Sequence, residues 1–168
     1  IVTHRLEKKL LQKAKTLLEL KRLELIKSGS QVLLEMGFGK KQIERFSEVE
    51  KKKVITDYEN YEISEDIINS INRLSNRYTT FNFIDRKLTT SQLCKILNYV
   101  KDQNKLSFIK VLNLDFNKLT VLPESIGNLG SLKELSLSFN QVITLPESLE
   151  NLSKLKELII SRNKLKTL

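Results

Sequence analysis

Several residue types that carry chemistry are scarce in this chain of 168 residues. It has one cysteine, Cys94, one histidine, His4, and no tryptophan. A single cysteine forms neither an internal disulfide nor a multi-cysteine metal site. Nucleophiles activated by histidine would all depend on one residue near the start of the chain. We therefore predict no catalytic residue, no metal site and no cofactor.

Glycine and long apolar runs are also scarce. The chain has five glycines, and Gly37-x-Gly39 lacks the spacing of a phosphate-binding loop. The Asp and Glu residues do not show the spacing of a metal-binding loop. No apolar run is long enough to span a bilayer. The chain begins at Ile1 rather than Met. The interpretation that a signal segment has been removed is therefore kept, and both a cytoplasmic and a secreted localisation are considered.

The net charge of +9 is concentrated near the N-terminus. Residues 1–56 carry 14 Lys and Arg against 7 Asp and Glu, whereas residues 109–168 carry 8 against 6. Residues 3–27 lack Gly and Pro, which predicts one long helix that ends at Ser28-Gly29-Ser30. Its apolar stripe comprises Leu6, Leu10, Ala14, Leu17 and Leu18.

The basic residues of this helix match the phosphates of nucleic acid or the head groups of an acidic membrane. However, acids are interspersed, and residues 3–27 contain no aromatic residue that would stack on bases. A solvated charged face is the preferred interpretation, and an anion-binding module is the alternative. The leucine stripe also suits pairing with another helix.

The segment 31–77 is predicted to be helical. Residues 32–38 and 41–46 form two helices around a glycine turn, Met36-Gly37-Phe38. This turn is similar to the loop of ubiquitin-associated domains, but no third helix is evident at the expected distance. We therefore prefer a generic helical turn with Met36 and Phe38 in the core. Ser64 is predicted to cap a further helix. Its buried face comprises Ile67, Ile68, Ile71 and Leu74.

A repeat begins after this segment. Asn117, Asn140 and Asn163 lie 23 residues apart, each at the same place in a frame of apolar residues. The first frame is Ile109-x-x-Leu112-x-Leu114-x-x-Asn117-x-Leu119, and it recurs at 132–142 and 155–165. The connecting segments 122–129 and 145–152 both open with Leu-Pro-Glu-Ser. A fixed period of this kind is typical of a repeat array.

These frames resemble the leucine-rich repeat, specifically the LPxxIGNL type of bacterial and plant intracellular proteins. The resemblance implies an α/β solenoid, a short array with parallel strands on its concave face, whose function is protein–protein interaction. Physical reasoning agrees, because one repeat cannot bury its apolar face without a neighbour. The three asparagines are predicted to form an internal hydrogen-bonded ladder, since each amide both donates and accepts.

The predicted units start near residues 78, 109, 132 and 155, and the last unit is incomplete. In the first unit, Arg86 stands in the asparagine position. A longer spacing there accommodates a helix at 91–100, capped by Thr90 or Ser91. Its buried face comprises Leu93, Ile96, Leu97 and Val100, with Cys94 also buried.

Both ends of the array carry predictions. The helical region 1–77 precedes the repeats, and its part 31–77 is predicted to be an N-terminal cap that covers the first strand. At the other end, Leu168 lies inside a repeat. We predict either a longer array or a homodimer that pairs through this uncapped end.

Alternation along the strands predicts which side chains face a partner. Phe116 and Phe139 occupy the same position in adjacent repeats, and Arg162 follows in the next. Aromatic residues and arginine are enriched at interface hot spots. The predicted protein-binding surface comprises Val111, Phe116, Glu134, Phe139, Glu157, Ile159 and Arg162. The alternative is that both rings cover the edge of the core.

The family resemblance adds expectations about biological context. It implies a bacterial protein that acts on a host or cell-surface partner, such as a secreted effector. A further alternative is the substrate-selecting part of a larger enzyme. The identity of the protein partner is left open.

Overall fold

The computed structural model describes residues 2–27 and 29–166. Within these ranges the helices are α1 (Val2–Lys27), α2 (Gly29–Met36), α3 (Lys40–Arg45), α4 (Glu48–Asn60), α5 (Glu65–Arg73) and α6 (Thr90–Asp102). The strands are β1 (Thr80–Asn82), β2 (Val111–Asn113), β3 (Glu134–Ser136) and β4 (Glu157–Ile159). Short 3₁₀ helices cover Leu106–Phe108, Glu124–Asn128 and Glu147–Asn151.

The four strands form one parallel sheet in the order β1-β2-β3-β4. The register aligns Phe81, Leu112, Leu135 and Leu158, so the apolar position of each unit lies beside its counterpart. The first three of these side chains are buried in a core shared with α5 and α6. The predicted α/β arrangement of parallel strands and helices is therefore confirmed.

A second, smaller core lies between the N-terminal helices and α6. It comprises Leu33, Met36, Phe38, Ile43 and Cys94. The prediction that Met36 and Phe38 are core residues is confirmed, since they are 1% and 3% exposed. The turn between them packs against the first connecting segment, because the Ser125 amide donates to the Gly37 carbonyl at 2.9 Å.

The predicted end of the first helix agrees with the structure, since α1 ends at Lys27. Helix α2 begins earlier than predicted, because Gly29 and Ser30 are its first residues, while Ser28 lies outside the described residues. One prediction about the N-terminal helices was wrong. A third helix does follow the glycine turn, namely α4. Its start is stabilised by a capping box, in which Ser47 and Glu50 accept from each other's backbone amides. None of its residues is fully buried, so its sequence carries only a weak apolar period.

Two helix caps also differ in detail from the prediction. Thr89, rather than Thr90 or Ser91, is the N-cap of α6, and its hydroxyl accepts from the Gln92 amide. Thr90 is instead the first helical residue, and its hydroxyl donates to the Val121 carbonyl at 2.8 Å. Ser64 does occupy the N-cap of α5, but its hydroxyl bonds the Asp66 carboxylate rather than a backbone amide.

The buried face of α5 agrees with the prediction at three of four positions. Ile67, Ile71 and Leu74 are buried, whereas Ile68 is only half-buried. All four predicted residues of the α6 face are buried, and so is Cys94. Both helices therefore contribute their apolar faces to the cores, as amphipathic helices do.

Candidate functional site

The asparagines that recur every repeat hold neighbouring units together. The Asn140 amide nitrogen donates to the Leu114 and Leu137 carbonyls at 2.8 and 3.0 Å, and its oxygen accepts from the Leu119 amide at 3.0 Å. Asn117 and Asn163 make the corresponding bonds one repeat earlier and later. These bonds satisfy backbone groups that the short strands leave without a partner.

The first unit shows how arginine is accommodated at the asparagine position. The Arg86 backbone amide donates to the Asn117 side-chain oxygen at 3.1 Å, so the next repeat supplies the acceptor. The Arg86 side chain turns outward, and its guanidinium lies 2.6 Å from the Asp66 carboxylate on α5. Hydrogen bonds from Ser64 and Arg86 hold the pKa of the Asp66 carboxyl below its ordinary value.

The residues just before the asparagine positions share an unusual backbone conformation. Asp85, Phe116, Phe139 and Arg162 have φ angles of 53°, 58°, 57° and 57°. This left-handed region is uncommon for residues other than glycine, asparagine and aspartate. Because the conformation recurs in every unit regardless of the side chain, the geometry of the repeat imposes it.

Two of these positions carry the aromatic pair. The rings of Phe116 and Phe139 are stacked, with centroids 4.3 Å apart and planes inclined by 8°. They are 50% and 47% exposed, so about half of each ring remains in contact with water. Arg162 is exposed in the next repeat. The structure thus brings the three predicted anchor residues into one row.

The sheet surface opposite the core is defined here as the open face. Its first row is Thr80, Val111, Glu134 and Glu157, and its second row is Asn82, Asn113, Ser136 and Ile159. Glu134 and Glu157 are exposed neighbours in register, whereas Val111 is half-buried. Ile159 is 42% exposed. The open face therefore combines an acidic edge with apolar groups.

Asp115 is an acid of this surface that already has partners. Its carboxylate accepts from the Ser136 hydroxyl at 2.6 Å and from the Ser138 amide at 2.7 Å. These bonds organise the turn that leads to Phe139. Asp115 therefore holds the segment before Phe139 in place, and its carboxylate is already hydrogen-bonded. The spacing of the repeat did not reveal this role.

Comparison with known proteins gives one positive finding. Residues 107–165 match the family model of the leucine rich repeat. The match covers about a third of the chain and includes β2, β3 and β4. It supports the leucine-rich-repeat prediction, and leucine-rich repeats generally mediate protein–protein interaction and are typically non-enzymatic. No curated protein matches the chain significantly.

The residues considered for catalysis do not form a reactive site in the described part of the chain. The Cys94 thiol is completely buried, and this burial raises its pKa far above the ordinary value, which disfavours the nucleophilic thiolate. The ranges 2–27 and 29–166 contain no cluster of three His, Cys, Asp or Glu side chains with metal-binding geometry. None of the described helices has the length and apolar character needed to cross a membrane.

A groove that the sequence did not predict runs between the N-terminal helices and the repeats. Its volume is about 740 Å³. Phe46 and Val54 line one wall, and Thr120, Val121 and Ile143 line the other. The groove depends on how α4 packs beside the connecting segments. No single motif carries that information, so the sequence held no signal for it.

Proposed function

We propose that this chain is a protein-recognition module that binds its partner on the open face of the sheet. This face corresponds to the concave face that the resemblance to leucine-rich repeats implies. Phe116 and Phe139 are the anchors, and Arg162 extends their row. Glu134, Glu157, Val111 and Ile159 complete the contact surface. The observation that carries the proposal is the stacked, half-exposed aromatic pair in left-handed backbone conformation.

The two phenylalanines occupy a position that folding alone would give to another residue type. A non-glycine residue in the left-handed region costs about 1–2 kcal/mol, and asparagine tolerates it better than phenylalanine does. Exposed aromatic surface is a further cost, which the stacking offsets by about 0.5–1.5 kcal/mol. A residue that neither stability nor solubility favours is best explained by a contact with a partner.

The surrounding charges indicate the chemistry of that partner. The aromatic row suits an apolar or aromatic side chain, and Arg162 beside it suits a carboxylate. Glu134 and Glu157 lie five residues before Phe139 and Arg162, which is at most about 17 Å in extended geometry. A partner segment with a cation at one end and an apolar group at the other would match both features.

The test separates binding from folding by a substitution that suits the backbone. The Phe116→Asn/Phe139→Asn variant should fold with unchanged or slightly raised stability, because asparagine accepts the left-handed conformation. Captured protein from a nuclease-treated lysate at raised salt should be lost with this variant. The Ile143→Asn variant, which changes an exposed apolar residue outside the open face, should retain it.

Two results would contradict the proposal. If the asparagine variant captures the same protein as the parent chain, the open face is not the recognition surface. If the captured material disappears with nuclease or salt in all variants, the interaction is electrostatic and belongs to the basic helices.

We further propose that the segment 31–77, which holds most of α2 together with α3, α4 and α5, acts as the N-terminal cap of the repeats. Support comes from Gln42, whose amide donates to the Leu122 carbonyl at 2.8 Å and accepts from the Glu124 amide at 3.1 Å. One repeat later, Glu124 accepts from the Glu147 and Ser148 amides at 3.2 and 2.9 Å. Gln42 of α3 thus binds backbone groups of the first connecting segment, as Glu124 of the repeat binds those of the second.

Two glycines show the same correspondence between the helical segment and a repeat. A methyl group added at Gly37 would lie 2.4 Å from the Ser125 hydroxyl oxygen, and one at Gly127 would lie 2.5 Å from the Ser148 Cβ atom. Both glycines allow a close approach to the serine of the following unit. An ion pair between Lys41 and Glu147, at 2.9 Å, adds a contact across two units. This hydrogen-bonded contact raises the pKa of the Lys41 ammonium and lowers that of the Glu147 carboxyl.

A further inference from the structure

The first helix presents an apolar face that the described part of the chain leaves uncovered. All side chains from residue 3 to residue 19 are exposed. The leucines among them are between 54% and 72% exposed: Leu6, Leu10, Leu11, Leu17 and Leu18. Five leucines exposed to this degree on one helix exceed the scattered apolar residues of an ordinary surface.

These leucines lie on one side of the helix. At about 100° per residue, the five leucines and Ala14 fall within an arc of about 140°. Glu7 interrupts this arc near the start of the helix, where its carboxylate lies 3.9 Å from the His4 ring. We name the arc formed by the leucines and Ala14 the leucine face.

Cations border the leucine face and occupy much of the remaining surface between residues 3 and 19. Between residues 3 and 19 there are five Lys and Arg against two Glu. Lys13 follows one edge of the arc and Lys15 follows the other, while Arg5, Lys8 and Lys9 occupy the remaining surface. Lysines at the edges of an apolar face can keep their ammonium groups in the head-group region while their methylene stems lie along the acyl boundary.

The same charges disfavour pairing of this helix with a second copy of itself. In a parallel pair, each flank of the apolar seam opposes the other flank of the partner helix, so Lys13 of one copy would lie opposite the flank that carries Lys15 of the other. Like charges in these positions are destabilising. The complementary surface must therefore be both apolar and negatively charged.

We propose that α1 lies on the surface of an anionic membrane, with its leucine face inserted at the level of the acyl chains and its cations against acidic head groups. A helix with a leucine face and a lysine-rich polar face binds this kind of surface without spanning it. The proposal is independent of partner recognition by the open face and adds an attachment site to it.

The test is vesicle flotation with the full chain. The protein should float with vesicles of mixed phosphatidylcholine and phosphatidylserine, and about tenfold more weakly or not at all with phosphatidylcholine alone. Leu10→Gln/Leu17→Gln should weaken binding at least about tenfold through lost apolar burial. Lys13→Gln/Lys15→Gln should weaken it at the same salt and reduce its salt dependence.

Control variants use exposed residues of the same type elsewhere in the chain. Val49 on α4 is 78% exposed, and Lys40 and Lys52 are also exposed. Val49→Gln and Lys40→Gln/Lys52→Gln should bind the mixed vesicles as the parent does. Phe116→Asn/Phe139→Asn should also bind them normally, so failure of the partner-recognition proposal would be recognised separately.

Three outcomes would overturn the proposal. The first is that the parent chain does not float with the mixed vesicles. The second is equal binding by the leucine variant together with retention of both forms on nucleic acid, which would indicate a charge-only surface. The third is a dimer in light scattering that dissociates in the leucine variant, which would show that a second copy covers the leucine face.

Discussion

Individual asparagines illustrate how one side chain can serve two repeats. Asn140 is buried, donates to carbonyls on its own and the preceding unit, and accepts an amide from the preceding unit. Its 23-residue recurrence is visible in the sequence because each repeat needs the same bonds. Phe116 and Phe139 recur with the same period although no buried hydrogen bond requires their side chains. The asparagines are therefore repeated for the structure, and the phenylalanines are repeated on the surface.

The Asn140→Ala variant should lose about 2–4 kcal/mol of unfolding free energy, because several buried backbone groups lose their partner at once. Urea denaturation followed by far-ultraviolet circular dichroism measures this loss. The neighbouring Gln141→Ala variant removes an exposed amide and should stay within about 0.5 kcal/mol of the parent. Equal midpoints for the two variants would show that the ladder does not contribute to stability.

At the level of elements, the sequence predicts those whose pattern is local. The strands, α6 and the apolar face of α5 follow from apolar periods of two or 3.6 residues. Helix α4 does not, because its half-buried residues Val54, Ile55 and Tyr58 are held by contacts with α2 and α6 rather than by a strong stripe of its own. The cap of α6 was misplaced by one residue, since Thr89, Thr90 and Ser91 are all suitable capping types.

The C-terminus of helix α4 also depends on a residue that is distant in the sequence. The Lys95 ammonium on α6 donates to the Tyr58 and Tyr61 carbonyls at 2.9 and 2.6 Å, and it lies 5.4 Å from the centre of the Tyr58 ring. Such a cation satisfies carbonyls that the last helical turn leaves open. Lys95 lies 37 and 34 residues after Tyr58 and Tyr61, which explains why the sequence did not predict this contact.

The Lys95→Met variant keeps most of the length of the side chain but removes its charge. It should lower the unfolding free energy by about 1–2 kcal/mol and increase amide hydrogen exchange in the last turn of α4. The Lys101→Met variant on the same helix, where the lysine is exposed, should leave both quantities unchanged. Unaltered exchange in α4 after Lys95→Met would show that the ammonium group is not needed there.

For the molecule as a whole, the question is whether the N-terminal helices and the repeats form one cooperative unit. The sequence predicts helices before the repeats but not their junction, because Gln42 and Gly37 contact residues that are 80 or more positions away. Those contacts resemble the contacts between repeats. If α2, α3 and α4 cap the array, a disruptive substitution at the junction should also destabilise the sheet.

Gly37→Ala is the change that tests this junction. Gly37 has a φ angle of 112°, and an added methyl group would lie within 2.7 Å of two Ser125 side-chain atoms. The variant should lose about 2–4 kcal/mol of unfolding free energy. Hydrogen exchange should rise together in α2 and at Leu112 and Leu135, because the loss of a cap destabilises the repeats that it packs against.

The control is Gly130→Ala, since an added methyl group there has no neighbour within 4 Å. This variant should match the parent or be slightly more stable. Replacing Ser125 by glycine in the Gly37→Ala background should recover the steric part of the loss but not the part due to backbone strain. If only α2, α3 and α4 lose protection while the sheet keeps its own, the helices are an appended unit, and the proposed cap is wrong.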